Sequence, residues 1–169
     1  AITPDNLAGA RALFERVVGE AVTELAPADA ARQRAALLGS PLDVGAGDIV
    51  FQHEIERPAA VVERLLEFPL DGETVLRSGD RTRRIALKAR ADRIDLLEGG
   101  TFRLVDYKLS RAPAAGRSIQ LAAYAAAARA RLAGYRGRDW RPADAAYVTF
   151  GRPPHVHPVS RHARSLDAD

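Results

Sequence analysis

Two acidic residues and a lysine lie close together in the middle of the sequence and could form a hydrolytic site. Asp106 and Lys108 are two residues apart in the segment LVDYK, and Asp92 lies in the preceding segment RADRID. Alternate residues of a strand face the same side of a sheet, so Asp106 and Lys108 would leave one face together. Two neighbouring carboxylates repel each other unless a cation lies between them, and hard oxygen ligands favour Mg²⁺ or Mn²⁺. These residue types therefore suggest a metal-dependent hydrolase.

The role of Lys108 stays open at this level. Its ammonium group could orient the attacking water, help to deprotonate it, or stabilise the charged state that forms at a phosphorus atom. A D-x-K pattern alone is common, and by itself it more often marks a structural ion pair on an exposed hairpin. The hydrolase interpretation therefore depends on the elements around these residues.

Local signals predict an α/β fold. The predicted elements, in chain order, are a helix from Thr3 to about Leu25, a helix from Pro27 to Gly39, a helix from Asp48 towards Leu66 that Pro58 kinks or restarts, a hairpin from Glu67 to Leu76, a long strand from Thr82 to Leu96, a strand from Thr101 to Lys108, a helix from Ile119 to about Leu132 capped by Ser118, and a buried strand from Ala145 to Phe150. A strand–helix–strand unit usually forms a right-handed parallel crossover. The expected architecture is a central mixed β-sheet flanked by helices.

A basic span leads into the acidic residues. Its members are Arg77, Arg81, Arg83, Arg84, Lys88, Arg90 and Arg93, and the span holds only Asp80 and Asp92 as acids. If the long strand has no bulge, Asp92 shares a basic face with Arg84, Lys88 and Arg90. Such a surface suits a phosphate-backbone substrate, and a solvated charged hairpin is the alternative.

Composition excludes several kinds of site. The 169 residues carry a formal net charge of +3 and contain no cysteine, so this chain has no disulfide, zinc–thiolate site or iron–sulfur cluster. No apolar run reaches the roughly 20 residues that span a bilayer, which argues against a membrane partner. The absence of cysteine agrees with a cytoplasmic protein. The absence of methionine, even at position 1, suggests a piece of a longer protein.

Three segments recur in the order and spacing of a known family. They are ARADRID at 89–95, DYK at 106–108 and QLAAY at 120–124. This combination resembles the PD-(D/E)XK nuclease superfamily, whose members show G-x-I-D-R-I-D, D-Y-K and Q-L-x-x-Y. Within it, the similarity is greatest to the RecB-like nuclease domains of bacterial double-strand-break repair helicase–nucleases, especially the AddB type. The resemblance implies a restriction-endonuclease-like core.

The resemblance also implies roles for individual residues. Asp92 and Asp106 would be metal ligands, the carbonyl of Tyr107 would complete their shell, and Lys108 would be the catalytic lysine. Gln120 and Tyr124 would hold the DNA strand or support the site, and Arg90 and Arg93 would bind DNA or support the site. We choose Asp92 over Asp95 because the family ligand is the first aspartate of D-R-I-D.

The chain departs from the family pattern in two places that bear on activity. Ala89 replaces the family glycine, which is a mild change. The family's earlier metal-binding motif, a His or Glu in an N-terminal helix, is expected before Ala1, and His53, Glu54 and Glu67 are the only local substitutes. The cysteines that hold an iron–sulfur cluster in many AddB-like proteins are also missing.

We therefore expect one nuclease-like domain over 1–169, with a helical lead-in at 1–66, a catalytic core at 67–151 and a surface tail at 152–169. The expected function is Mg²⁺- or Mn²⁺-dependent hydrolysis of DNA, as the exonuclease part of a repair helicase–nuclease. Its partners would be DNA and either a helicase–nuclease subunit or the remainder of its own chain. The alternative is a catalytically incomplete nuclease-fold module for DNA binding or scaffolding. His155 and His157 are interpreted as polar surface, with half a zinc site as the alternative.

Overall fold

Three helices occupy the N-terminal part of the chain. A computed structural model describes residues 2–56, 58–78, 80–109, 111–113, 119–150 and 155–158. A short 3₁₀ turn at Pro4–Asn6 leads into α1 (Leu7–Ala21), followed by α2 (Pro27–Leu38) and α3 (Ala46–Glu56). Pro27 occupies the first position of α2, where its missing N–H has no helical partner to lose.

The helices belong to the first of two units into which the chain divides, Ala1–Ala59 with Leu109–Arg111 and Val148–Val156. Within it, the rings of Phe14 and Phe51 meet edge to face, with centroids 5.6 Å apart. A Cβ atom at Gly47 would lie within 2.3 Å of the Phe14 ring, so only glycine permits this approach of α1 to α3.

Two predicted helix ends are wrong. α1 ends at Ala21 and not near Leu25, and α3 ends at Glu56 without continuing towards Leu66. Pro58 explains the second difference, because proline disfavours helical backbone in the residue before it. The residues from Val61 onward form a strand in which half-buried and exposed side chains alternate as far as Leu66.

The strands begin in the second unit, Ala60–Lys108 with Ala112–Tyr147 and His157–Asp169. The remaining elements of the chain are β1 (Val61–Pro69), β2 (Gly72–Ser78), β3 (Arg81–Leu87), β4 (Arg90–Leu97), β5 (Thr101–Lys108), α4 (Gln120–Arg131), a 3₁₀ turn (Tyr135–Gly137), β6 (Arg141–Thr149) and β7 (His155–Pro158). A five-stranded mixed sheet has the order β1-β4-β5-β6-β7, and β2 and β3 form a separate two-stranded sheet. The predicted α/β class with a restriction-endonuclease-like core and a central mixed sheet is confirmed.

The pairing of the early strands differs from the prediction. β1 does not form a hairpin with β2; it pairs antiparallel with β4, and β2 pairs with β3. The predicted long strand breaks at Lys88 and Ala89. There the backbone N–H of Leu70 donates to the carbonyl of Ala89 at 2.8 Å, and the N–H of Ala89 donates to Oδ1 of Asp71 at 2.9 Å. These bonds join the β1–β2 connection to the β3–β4 connection. The chain leaves the central sheet after β1 and returns to it at β4.

The main core lies between α4 and the central strands. Ile94, Leu96, Phe102 and Leu104 are at most 2% exposed and form one cluster with Leu121, Ala125 and Ala128 of α4. Alanine favours the helix, and its small side chain lets α4 lie close to the sheet. This packing positions the first turn of α4, which begins at Gln120.

The predicted tail contains a strand. β7 spans His155–Pro158, and Oγ1 of Thr149 donates to the carbonyl of His155 at 3.1 Å. The rest of the predicted tail and the predicted cap Ser118 lie outside the described residues. Among the helices that the structure describes, none is long and apolar enough to cross a membrane.

Candidate active site

Asp92 and Asp106 lie beside each other on neighbouring antiparallel strands. Arg93 pairs with Val105 in the β4–β5 register, and one further step along that register brings Asp92 opposite Asp106. Oδ2 of Asp92 accepts a 2.6 Å hydrogen bond from the backbone N–H of Tyr107. The Asp92 charge is also near enough to raise the pKa of Asp106. The structure thus brings together the two carboxylates that the sequence predicted as a pair.

Asp106 is the most enclosed member of the site. The residue is 4% exposed; its Oδ1 accepts a 2.9 Å hydrogen bond from Nε2 of Gln120, and its Oδ2 lies 2.6 Å from Nζ of Lys108. Oδ2 has no well-aligned hydrogen bond, so the contact with Lys108 is an ion pair. Burial raises the pKa of Asp106, the Lys108 ammonium partly opposes that rise, and the Asp92 charge adds to it.

Lys108 is held as an ammonium ion. Burial acts to lower its pKa, but the adjacent Asp106 carboxylate outweighs burial and the pKa is raised above its usual value. Nζ also lies 5.6 Å from the ring centroid of Tyr147 on β6, within the range of a cation–π interaction. Sequence reasoning had placed Tyr147 only in a buried strand. The D-x-K motif gives no signal for it, because the contact depends on which strand lies beside β5.

Asp95 is fully buried and bound by three arginines. Its carboxylate accepts hydrogen bonds from Nε of Arg64 at 2.7 Å, Nε of Arg93 at 2.9 Å and Nε of Arg103 at 2.7 Å. Burial acts to raise the pKa of Asp95, but the guanidinium groups hold it well below its usual range. Because its carboxylate is occupied by these three arginines, Asp95 is not open to a metal ion or a substrate. Asp92 is therefore the better candidate ligand of D-R-I-D.

Arg93 links this arginine cluster to the segment DYK. Its guanidinium is 5% exposed, and burial opposes its charge, yet the bonds to Asp95 raise its pKa above its ordinary value. Nη1 of Arg93 donates to the Tyr107 hydroxyl at 3.4 Å. Sequence analysis missed Arg64 and Arg103. Arg103 had one available signal, since it is a charged residue inside an apolar strand and pairs with Asp95 across β4 and β5.

Arg90 and Tyr124 occupy different surroundings. Arg90 is exposed, and its Nη1 lies 3.7 Å from Glu67. Tyr124 is partly buried against the main core. The predicted basic face around Asp92 is wrong in part: Lys88 and Ala89 break the strand, so Arg84 belongs to a separate sheet. Asp92 instead shares a face of β4 with the buried side chains of Ile94 and Leu96.

The three local substitutes for the missing family ligand belong to two elements, Glu67 to β1 and His53 and Glu54 to α3. Glu67 stands opposite Asp92 in the β1–β4 register, but its backbone has φ of 51° and its exposed carboxylate pairs with Arg90. Glu54 is 3% exposed on α3 of the first unit, and His53 precedes it there. Over the described ranges, no three His, Cys, Asp or Glu side chains form a group that could hold a metal ion. His155 and His157 are exposed on β7.

The chemical type of the candidate ligands fits a hard divalent cation. Two carboxylates and a backbone carbonyl are oxygen donors of the type that Mg²⁺ and Mn²⁺ prefer. Mg²⁺ usually keeps several waters and uses one or two protein carboxylates, which is the number that Asp92 and Asp106 provide. The pKa of Asp106 is raised mainly by burial, and the charge of Asp92 adds a smaller contribution in the same direction.

Comparison with known proteins identifies the superfamily. The family model of the PD-(D/E)XK nuclease superfamily matches residues 4–168, which confirms the resemblance at that level. No curated protein matches the chain. A solved structure described as "Crystal structure of SSO0001" is 16% identical, with 89% of this chain and 62% of that chain covered and a TM-score of 0.28. The chain therefore spans less than two thirds of that structure, and a likeness at this level supports no further argument.

Proposed function

The chain belongs to the PD-(D/E)XK nuclease superfamily, and on that premise we propose that it is a Mg²⁺- or Mn²⁺-dependent deoxyribonuclease. The observation that carries the proposal is the environment of Asp106. Its buried carboxylate is bonded by Gln120, paired with Lys108 and repelled by the charge of Asp92. A buried acid with a raised pKa beside a second acid and an ammonium group is typical of a catalytic centre.

Each residue has a proposed task. Asp92, Asp106 and the carbonyl of Tyr107 would hold the metal ion, which would polarise a phosphoryl oxygen and lower the pKa of a coordinated water. Gln120 fixes the direction of one Asp106 oxygen, and the N–H of Tyr107 fixes one oxygen of Asp92.

Lys108 acts as a cation in this proposal. Since its pKa is raised, Lys108 stays protonated at neutral pH, and of its three candidate roles we favour electrostatic stabilisation of the negative charge that builds up on the phosphate. A protonated amine cannot also accept the proton of the attacking water. That proton therefore passes to solvent or to a phosphate oxygen.

The finer assignment follows the motifs. We propose a RecB-like domain of the AddB type that acts as an exonuclease in a cytoplasmic double-strand-break repair helicase–nuclease. Its partners are DNA and a helicase–nuclease subunit or the remainder of its own chain. Arg90, which is exposed, contacts DNA near the site. Arg93 is buried, so we assign it the supporting role, together with Tyr124.

A second function keeps the fold without catalysis. Over the described residues, the site has two carboxylates and lacks a third acidic or histidine ligand. This observation favours a nuclease-fold module that binds DNA or acts as a scaffold. Metal binding and cleavage distinguish the two functions.

The test is Mn²⁺-dependent cleavage of linear DNA by the full-length gene product. Asp106→Asn and Lys108→Ala should each lower the cleavage rate by about 100-fold or more, because each removes a charge needed in the transition state. Glu24→Gln changes an exposed acid away from the basic span and is the matched control. Equal cleavage by all four proteins would refute the nuclease assignment. Mn²⁺ binding by wild type without cleavage would favour the binding module.

A further inference from the structure

Strand β3 of the β2–β3 hairpin carries basic side chains on both of its faces. Arg81, Arg83 and Arg84 lie on β3 and Lys88 follows it directly, and all four are exposed. We call these four residues the basic arm. The side chains of Thr82 and Ala86 are exposed as well, whereas those of Ile85 and Leu87 are half-buried.

The charges of the basic arm are poorly compensated. Within the part of the chain that the structure describes, Arg81, Arg83 and Lys88 have no acidic partner within ion-pair distance. Arg84 has one at 3.6 Å, Glu73, but the two side chains are 75% and 68% exposed, and such pairs contribute little. By contrast, the arginines around Asp95 share a buried carboxylate. The basic residues near the site thus divide into a compensated buried set and an uncompensated exposed set.

The arm is anchored to the rest of its unit. All seven residues of β2 pair with the seven residues of β3. The base of the hairpin is joined at the corner where Leu70 bonds to Ala89, and β2 packs against α4 with Thr74 only 5% exposed. A paired and anchored strand loses little conformational entropy when its side chains meet a ligand.

We propose that the basic arm binds the sugar-phosphate backbone of the nucleic acid substrate at phosphates away from the one being cut. The inference rests on the proposed nuclease function and adds a second contact region to it. Arginine and lysine are the residues that neutralise phosphates, and guanidinium groups match phosphate geometry in a bidentate manner.

Chain length limits where these contacts lie. Lys88 precedes Asp92 by four residues and Arg81 precedes it by eleven. An extended chain spans at most about 3.3–3.6 Å per residue, so the arm reaches no further than roughly 40 Å from the site. Each phosphate of one strand occupies about 3.4 Å of the duplex axis, so the contacts fall within about twelve nucleotides of the scissile bond.

Protection of a sheet edge is the competing explanation. β3 is an outer strand, and natural proteins place basic residues on such strands to prevent edge-to-edge pairing. In that case neutral substitutions would promote self-association and leave DNA affinity unchanged. The two explanations therefore predict different measurements.

The experiment compares two triple variants of the full-length gene product. The arm variant carries Arg81→Ala, Arg83→Ala and Lys88→Ala. The control variant carries Arg16→Ala, Arg34→Ala and Arg131→Ala, which remove the same charge from exposed positions elsewhere. A third variant, Arg81→Lys with Arg83→Lys, keeps the charge of the arm. Binding of a labelled duplex of about 30 base pairs is measured without metal between roughly 50 and 200 mM salt, the range over which phosphate contacts change affinity strongly.

If the proposal holds, the arm variant binds DNA at least about 10-fold more weakly, and its salt slope falls by about two to three because three phosphate contacts are lost. The cleavage defect then appears in KM rather than kcat. The control and the lysine variant should keep the wild-type slope. Unchanged affinity and slope in the arm variant would overturn the proposal, with or without self-association. Because binding is measured without metal, this result is independent of whether cleavage depends on Asp106, which decides the proposed function separately.

Discussion

The backbone N–H of Tyr107 donates a 2.6 Å hydrogen bond to Oδ2 of Asp92. Tyr107 stands between Asp106 and Lys108, so the backbone of one strand that carries the site holds the carboxylate from the other. A backbone donor persists whatever side chain occupies position 107. The bond therefore orients Asp92 as long as β4 and β5 remain paired.

This bond predicts different results for two substitutions of Asp92. Asp92→Asn keeps an oxygen that can accept from Tyr107 but loses the charge, so we expect near wild-type stability and a loss of Mn²⁺ affinity of 10-fold or more. Asp92→Ala also removes the acceptor and should lower the free energy of unfolding by about 0.5–1.5 kcal/mol. Calorimetric titration with Mn²⁺ and urea unfolding measure the two effects. Equal stability of both variants would contradict the orienting role of the bond.

Gln120 supports Asp106 directly, since its Nε2 donates to Oδ1 at 2.9 Å. Gln120→Leu should lower metal affinity or activity by about 10- to 100-fold, as is usual when a partner of a metal ligand is lost. Gln33→Leu, at an exposed position of α2, is the control and should match wild type. Mn²⁺ titration and initial cleavage rates provide the measurements. A Gln120→Leu protein with wild-type affinity and rate would leave the glutamine without a role in the site.

Tyr147 should affect Lys108 through its ring. The ring centroid lies 5.6 Å from Nζ, an arrangement worth about 0.5–1 kcal/mol at partly exposed sites. Tyr147→Phe keeps the ring and should retain most of the cleavage rate, whereas Tyr147→Leu should lose several-fold. The Lys108 pKa, followed by NMR of its side chain, should fall in the leucine variant. An equal loss in both variants would show that the hydroxyl matters more than the ring.

Asp95 is expected to be the most sensitive acid for stability. Asp95→Asn leaves the guanidinium groups of Arg93 and Arg103 buried without their counter-charge. Breaking a buried ion pair in this way costs about 3–5 kcal/mol. Asp80→Asn, at an exposed turn, should change the free energy of unfolding by less than about 0.5 kcal/mol. Urea unfolding of the two variants gives the comparison, and similar midpoints would contradict the structural role of Asp95.

The depressed pKa of Asp95 also predicts the direction of acid unfolding. Its pKa is lower in the folded protein than in the unfolded chain, so the unfolded state binds the proton more readily. The stabilisation is complete above the unfolded value of about 3.9 and is lost as pH falls below it towards the folded value. Between about pH 6 and pH 3, wild type should therefore lose more stability than Asp95→Asn. Parallel pH profiles of the two proteins would argue against this assignment.

Much of the site could be predicted because its signals are local. Alternation of side chains in Thr101–Lys108, the glycine turn at Gly99 and Gly100 with φ of 86° and 79°, and the alanine-rich helix after Ile119 each depend on residues close in sequence. The family resemblance of D-R-I-D, D-Y-K and Q-L-x-x-Y then implied that Asp92, Asp106 and Gln120 belong to one site. The contact of Gln120 with Asp106 agrees with that spacing.

Pairing between distant strands could not be predicted in the same way. Val62, Leu65 and Leu66 fit helical spacing as well as a strand, and only the partner β4 makes them part of a sheet. The corner at Leu70 and Ala89 that separates β3 from β4 is likewise a contact between distant residues.

The amino-acid sequence alone determined the types of the reactive groups and their order along the chain, because motifs and turns are short-range properties. The tertiary structure alone decided which charges are buried. Asp95 and Asp92 are three residues apart in one motif, yet one is enclosed by Arg64, Arg93 and Arg103 and the other faces Asp106. The difference arises from strand register. A shift of one residue would turn Asp92 to the face that now carries Asp95, and Asp95 to the face that now carries Asp92.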